Sequence, residues 1–145
     1  MAMHWSAPYV GLPWQERGLT RDGIACWGLA CLVYREYLGI TVPDYAAQVA
    51  CIAEKAEVAA VFAESTSAAG PWIRKAPEDA EDFDILVFRV GALDAHVGIR
   101  ATPGRMLHAT SGQAYSGIVD YSRNPWVHRL TGVYRHREVE TRNAF

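Results

Sequence analysis

Three cysteines, Cys26, Cys31 and Cys51, are the residues best suited to nucleophilic chemistry in this chain. Cys26 follows a turn at Gly23 and opens a run of apolar residues at three- and four-residue steps, which predicts a helix from about residue 26 to 38. Unpaired N–H groups and the helix dipole favour a thiolate in a first helical turn. Cys31 lies about 140° further round that helix, and Cys51 falls within a second predicted helix. Cys26 is therefore the candidate nucleophile.

Two histidines have the spacing of a base and its orienting partner, which a thiol nucleophile needs. His96 and His108 lie on consecutive predicted strands joined by a turn at Pro103-Gly104. In a tight hairpin about that turn, residues whose numbers sum to about 205 oppose each other, so the two histidines are expected to be neighbours. Gly98 shares the face of His96 and leaves space beside its imidazole.

Each of these residues also has a structural interpretation. A cysteine near a helix start is often a small core residue, and a strand histidine is often a hydrogen-bonded structural residue. A zinc site formed by Cys26, His96 and His108 is chemically possible, but the spacing is not that of metal ligands. The sequence thus predicts no metal and no cofactor. The remaining histidines have no partner pattern and are interpreted as incidental: His4, His128 and His136.

The elements that must position these residues follow from periodicity and turn signals. Pro8–Ile24 is predicted to be loop and turn, Tyr45–Ser65 a second helix and Ser67–Pro77 a loop. Four strands are predicted after the helices: Ile85–Phe88, Ala95–Ile99, Arg105–Thr110 and Val127–Tyr134. Helices followed by an antiparallel sheet indicate an α+β fold, and we expect one domain over residues 1–145.

Composition excludes several classes of function. Of the 145 residues, 50% are hydrophobic and 21% charged, and the formal net charge is −2; this predicts a folded domain that does not bind nucleic acid. No stretch reaches the ~20 apolar residues of a membrane span, and no signal peptide is recognised. Three cysteines do not make a disulfide framework, so two are expected to be buried structural thiols. The apolar segment Met1–Val10 is expected to be part of the fold rather than a docking arm.

An ordered series of motifs resembles the NlpC/p60 cell-wall cysteine peptidases. Tyr9–Trp14 leading into Asp22–Leu29 resembles the nucleophile segment of that family, and Phe83–Phe88 resembles its Gly-Asp-Leu-Val-Phe strand. His96–Ile99 resembles its histidine strand, and Met106–Ala109 the strand bearing its third polar residue. The likeness spans about residues 9 to 135.

The resemblance implies a papain-like fold with the cysteine helix packed on a small antiparallel sheet. It implies Cys26 as nucleophile, His96 as general base and His108 as orienter, acting on peptidoglycan stem peptides next to a D-isoglutamyl or diaminopimelate residue. Attack by the thiolate would form a thioester, and the backbone N–H of Cys26 would help to hold the oxyanion.

Three positions depart from the family pattern. Ala25 replaces the usual aspartate before the nucleophile, and Phe83 replaces the glycine of the Gly-Asp motif. Trp14 stands where a tyrosine is common, so its indole N–H is the candidate second oxyanion donor unless Tyr9 supplies the hydroxyl. Loss of an oxyanion donor can cost ~10²–10³ in rate.

A narrower resemblance is to the subgroup of tailed phages and gene-transfer agents, carried by Cys26–Ile40, Pro43–Tyr45 and Arg129–Arg135. It implies a tail-tip or baseplate component that opens peptidoglycan, with other tail proteins as partners. The protein would then be found in the virion, or in the host cytoplasm before assembly. Two alternatives remain open: an inactive structural subunit, motivated by Ala25 and Trp14, and a lipid acyltransferase.

Overall fold

A computed structural model of the chain describes residues 3–42, 72–90 and 93–143. Short 3-10 turns lie at Ala7–Tyr9, Pro77–Asp79 and Trp126–His128. The helices and strands in chain order are β1 (Leu19–Thr20), β2 (Gly23–Ile24), α1 (Cys26–Val33), β3 (Trp72–Lys75), β4 (Ile85–Val90), β5 (Leu93–Thr102), β6 (Arg105–His108), β7 (Gly117–Asp120), β8 (Leu130–His136) and α2 (Arg137–Asn143). The predicted helix Tyr45–Ser65, with Cys51, lies outside the described residues. In the described ranges, no helix is long and apolar enough to cross a bilayer.

Helix α1 begins at Cys26, as the periodicity predicts. It continues without a break into a π-helical turn over Tyr34–Leu38, so the predicted helix over residues 26–38 is confirmed. Gly39 ends it with φ +68°, a left-handed conformation that glycine adopts without steric cost. The helix is apolar almost all round, and it buries Trp27, Leu29 and Val33 in the core.

Six strands form one sheet in the order β3-β8-β4-β5-β6-β7, and every neighbouring pair is antiparallel. Alternate residues of β4 separate two apolar clusters. Ile85 and Val87 join the main core together with α1, whereas Leu86 and Phe88 join a smaller cluster with Met106. One helix face on an antiparallel sheet gives the predicted α+β fold.

Several short elements were not predicted from the sequence pattern. The hairpin β1–β2 lies within Pro8–Ile24, and β3 within Ser67–Pro77, both of which were expected to be loop. Strand β7 and helix α2 carry no clear periodic signal, and Val127 lies in a 3-10 turn rather than in β8. Strands of two to four residues are too short to establish a period of two.

A buried ion pair joins the start of β4 to β8. Arg135 donates from Nε and Nη2 to the two carboxylate oxygens of Asp84, each at 2.9 Å, and Asp84 is fully buried. The guanidinium also bonds Glu140 of α2 and the carbonyl of Asp79, and the backbone N–H of Glu81 donates to the carboxylate. Burial raises the pKa of Asp84, and the hydrogen bonds from Arg135 oppose that effect. Both members of this bidentate pair also have further hydrogen-bond partners. The pair therefore fixes the register of β4 against β8.

His136, interpreted from the sequence as incidental, is a core residue. Its ring is 8% exposed and meets Trp72 edge-on at a centroid distance of 5.1 Å. Nδ1 of His136 accepts a hydrogen bond from the backbone N–H of Glu138, at the start of α2. His128, by contrast, is exposed.

Phe83 has a backbone conformation that explains why glycine is typical of its position. Its φ is +73°, which costs a non-glycine residue about 1–2 kcal/mol. The ring offsets this cost by packing on Trp5 at 4.4 Å and stacking on Tyr37 at 5.3 Å. Trp5 and Tyr9 are both buried in the core, whereas Met3 and Val10 are exposed. The expectation that the N-terminal segment belongs to the fold is therefore met at Trp5 and Tyr9.

This conformation predicts an inverted order of stability between two variants. Phe83→Gly and Phe83→Ala both lose the ring contacts, but only alanine keeps the left-handed strain. We expect Phe83→Gly to be the more stable by ~1 kcal/mol, measured by urea unfolding. In α2 the same pair at exposed Thr141 is the control, where alanine should be the more stable. Equal stability of the two Phe83 variants would contradict the claim that the left-handed backbone at position 83 is strained for a non-glycine residue.

Candidate active site

Cys26 is the first residue of α1 and its side chain is half-buried. The N-cap residue, Ala25, has an extended backbone (φ −104°, ψ 174°), and no side chain caps the helix there. An aspartate at this position would accept a hydrogen bond from the first-turn amides and would place a negative charge beside the thiol. Alanine removes both effects, so no cap side chain competes for the first-turn amides beside Cys26.

Close backbone approaches hold the start of α1 against the β1–β2 hairpin. The backbone N–H of Ala25 donates to the carbonyl of Gly18 at 3.0 Å. A Cβ on Gly28 would lie 1.8 Å from that same carbonyl oxygen, and a Cβ on Gly18 would lie 2.3 Å from the carbonyl oxygen of Gly23. These contacts involve backbone atoms, which cannot move aside. The absence of a side chain at Gly18 and Gly28 therefore allows the β1–β2 hairpin to pack against the start of α1.

Trp14 lies beside β2, the strand that precedes Cys26. It forms a parallel bridge with Ile24, and its N–H donates to the carbonyl of Ala114 at 2.9 Å. Its backbone is therefore fixed next to a residue two positions before Cys26. Tyr9, the other candidate donor, is 4% exposed, and its ring lies under the guanidinium of Arg21 at 5.1 Å.

His96 and His108 form a buried pair. Nε2 of His96 and Nδ1 of His108 are hydrogen-bonded at 3.0 Å, and the side chains are 6% and 4% exposed. The register differs slightly from the expected one: Ile99 opposes Leu107, so facing residues sum to 206 rather than 205. His96 is consequently diagonal to His108, a separation that aromatic side chains still bridge. The expected space beside Gly98 is filled by Met106, whose sulfur would lie 2.4 Å from a Cβ there.

Burial sets the charge state of this pair. It lowers the pKa of His108 from 6.5 to about 4, so His108 is neutral near pH 7. A neutral His108 protonated on Nε2 leaves its Nδ1 lone pair to accept a bond from a protonated His96. His96 is therefore the donor of the pair when Nε2 of His96 carries a proton.

Helix α1 packs against β5, the strand that carries His96. Val97 and Ile99 face that core, whereas His96 alternates to the other face and contacts Phe88 and Trp126. The contact of Trp126 with the histidine pair was not predicted from the sequence. Trp126 lies in a 3-10 turn that the sequence pattern does not indicate, and a single aromatic residue there gives no periodic signal.

The metal alternative finds no support in the described ranges. Among residues 3–42, 72–90 and 93–143, no three His, Cys, Asp or Glu side chains converge on a position that could hold a metal ion.

Cys31 is half-buried against the core rather than fully buried as expected, and it cannot share the helix-start position of Cys26.

A family model decides the assignment. The model described as the NlpC/P60 family matches residues 11–135, which is most of the chain. The chain belongs to the NlpC/P60 family. This agrees with the resemblance of the cysteine and histidine motifs; the narrower likeness to phage tail proteins is not part of that match.

A curated relative and several solved structures are similar to this NlpC/P60 domain. It is 27% identical over 132 residues to the gamma-DL-glutamyl hydrolase of Bacillus subtilis (strain 168), covering 88% of this chain and 27% of that protein. A Bacillus cereus ATCC 10987 NlpC/P60 structure has a TM-score of 0.64 at 19% identity, covering 88% of this chain and 36% of the other. The NlpC/p60 domain of the peptidoglycan hydrolase SagA has a TM-score of 0.61 at 17% identity, covering 90% and 92%. These structures establish the fold.

The buried pair predicts a pH-dependent stability. Because the pKa of His108 is lower in the folded state, the unfolded chain binds more protons between pH 6.5 and about 4. Stability is therefore complete above pH 6.5 and falls by up to ~3 kcal/mol as pH drops to about 4. Urea unfolding across this range should show a shallower dependence for His108→Asn. His128→Asn, an exposed control, should match the wild type. An unchanged slope in His108→Asn would contradict the buried neutral histidine.

Proposed function

We propose that this NlpC/P60 protein is a cysteine peptidase that cleaves peptidoglycan stem peptides, with Cys26 as nucleophile, His96 as general base and His108 as orienter. The observation that carries the proposal is the buried hydrogen bond between His96 and His108, which supplies the base and the orienting partner that a thiol nucleophile needs. Family membership supports a hydrolase of this type. The chain spans only 27% of the length of the curated hydrolase it matches, so the activity is proposed from the site.

The reaction follows from the charge states of the two imidazoles. Nε2 of His96 is used by the bond to His108, so Nδ1 is the nitrogen that would take the proton of Cys26. The resulting imidazolium donates from Nε2 to the Nδ1 lone pair of His108, which burial keeps neutral. The thiolate attacks the peptide carbonyl, and the backbone N–H of Cys26, with Trp14 as a second candidate donor, stabilises the oxyanion. His96 protonates the leaving amine, and water then hydrolyses the thioester.

Ala25 is compatible with this chemistry. A carboxylate at the N-cap would raise the pKa of the neighbouring thiol through charge repulsion, and it would occupy the amides of the first turn. With alanine, those amides and the dipole favour the thiolate. The missing aspartate therefore does not by itself argue for an inactive protein.

The substrate class is proposed from the relatives. One is named for hydrolysis of gamma-DL-glutamyl bonds and another for hydrolysis of peptidoglycan. Both names fit a bond next to a D-isoglutamyl residue, which the stem peptide contains. We propose cleavage at that residue or at the adjoining diaminopimelate.

We also propose that the protein acts in the tail tip or baseplate of a phage or gene-transfer agent, in contact with other tail proteins. Support comes from the sequence likeness of Cys26–Ile40 and Arg129–Arg135 to that subgroup. The alternative of an inactive structural subunit is favoured by Trp14, which lacks the usual hydroxyl. A lipid acyltransferase is the other alternative.

Replacing the nucleophile tests the reaction. Cys26→Ala should release no stem peptides from purified peptidoglycan, whereas wild type should release fragments whose masses identify the bond. Cys31→Ala, which alters a half-buried thiol of the same helix, is the matched control and should retain activity. Equal release by wild type and Cys26→Ala would dismiss thiol catalysis. Turnover of phospholipid alone would instead favour acyl transfer.

Thiol reactivity separates an enzyme from an inactive subunit. At pH 6, iodoacetamide should alkylate Cys26 at least tenfold faster than Cys31, because only Cys26 has helix-start amides and a base. The ratio is read by mass spectrometry of tryptic peptides. Similar rates at the two cysteines would favour the structural role.

The proposed location has its own test. Particles purified from the source of this sequence should contain the chain in a fixed ratio to tail proteins, and antibody to it should label the distal end of the tail by electron microscopy. A chain found only outside such particles would contradict the tail-tip placement while leaving the peptidase proposal intact.

A further inference from the structure

Trp126 covers the histidine pair from the side opposite the main core. Its indole stacks on the ring of His96, with a centroid distance of 5.1 Å and an interplanar angle of 26°. The same indole meets His108 nearly perpendicularly, at 5.3 Å and 86°. One side chain therefore contacts both partners of the hydrogen bond.

The indole is itself held in place by a buried residue. Phe88 of β4 is fully buried and packs against Trp126 at 5.1 Å with an angle of 69°. Phe88 also contacts the ring of His96 at 6.2 Å. Trp126 is half-buried while both imidazoles are almost fully buried. It thus separates the His96–His108 bond from water, in which that bond would be weaker.

Stacking on indole favours the charged form of an imidazole. The face of tryptophan carries the negative part of the ring quadrupole, which attracts a cation more strongly than a neutral ring. Among the side chains that the structure describes, the titratable group hydrogen-bonded to His96 is His108 from β6, which burial keeps neutral. In the proposed mechanism the Cys26 thiol from α1 is the second titratable group. Phe88 and Trp126 carry no charge, and the indole contacts the imidazole of His96 directly.

We infer that Trp126 is a positioning residue, which stabilises the protonated form of His96 and fixes its ring plane against His108. The catalytic consequence rests on the proposed function, in which a protonated His96 accompanies the Cys26 thiolate. Removing the indole would weaken that ion pair from the imidazolium side and narrow the pH range in which it exists.

The direct test measures the proton on His96 without requiring hydrolysis. In a Cys26→Ala background, NMR titration of His96 should give a pKa lower by about half to one pH unit in Trp126→Leu. Trp126→Phe, which keeps an aromatic face, should show the smaller change. Val127→Ala alters an exposed neighbour in the same turn and should leave the titration unchanged. An unchanged His96 titration in both Trp126 variants, with native circular dichroism, would overturn the inference.

The kinetic test reads the same effect through hydrolysis. With Cys26 intact, Trp126→Leu should shift the alkaline limb of the pH profile of kcat/KM to lower pH and leave the acid limb in place, because His96 is protonated on both sides of the acid limb. Trp126→Phe should restore most of the width. If Trp126→Leu does not fold, Trp126→Phe against Trp126→Met gives the same comparison.

The two proposals fail separately. A shifted His96 titration in a protein that hydrolyses no peptidoglycan would remove the proposed function and leave the role of Trp126 in the pair. Hydrolysis with His96 titration and pH profile indifferent to Trp126 would remove the inference and leave the peptidase.

Discussion

The buried pair between Asp84 and Arg135 is the constraint from which the geometry of the sheet follows. It ties Asp84, the residue before β4, to Arg135 of β8, 51 residues further along the chain, and links both to α2. The carbonyl of Asp84 then accepts from the N–H of Arg100 at 2.9 Å, which sets β5 against β4. A register slip of one residue would turn every side chain of β5 to the other face, and His96 would leave His108. An unpaired charge in this position would cost several kcal/mol, so the alignment is strongly specified.

The parts of the site that sequence could predict are those with local signals. Cys26 opens a helix with clear three- and four-residue spacing, and His96 and His108 flank a Pro-Gly turn whose hairpin geometry brings them together. Their proximity was therefore predictable, although the exact register depended on an irregularity near Thr102. Their catalytic roles remain a prediction. The α+β class followed from the order of helix and strand patterns.

What the sequence could not predict depends on contacts between distant segments. Nothing local marks His136 as a core residue, because Trp72 and Tyr34 reach it only in the folded chain. The contacts of Trp126 with the two histidines, and the ion pair of Arg135 with Asp84, likewise form only in the folded chain. Phe83 is the opposite case: its departure from glycine was visible in the sequence, but its left-handed backbone and the aromatic partners that tolerate it emerge only in three dimensions.

The contact of Gly28 with the carbonyl of Gly18 has an evolutionary consequence. A backbone oxygen stands where any side chain at position 28 would begin, and no substitution at position 18 removes that oxygen. A descendant that lost the Cys26 thiol would still require glycine two residues further on in order to fold. Persistence of this glycine among homologues would therefore report on architecture and carry no information about whether a lineage keeps the thiol.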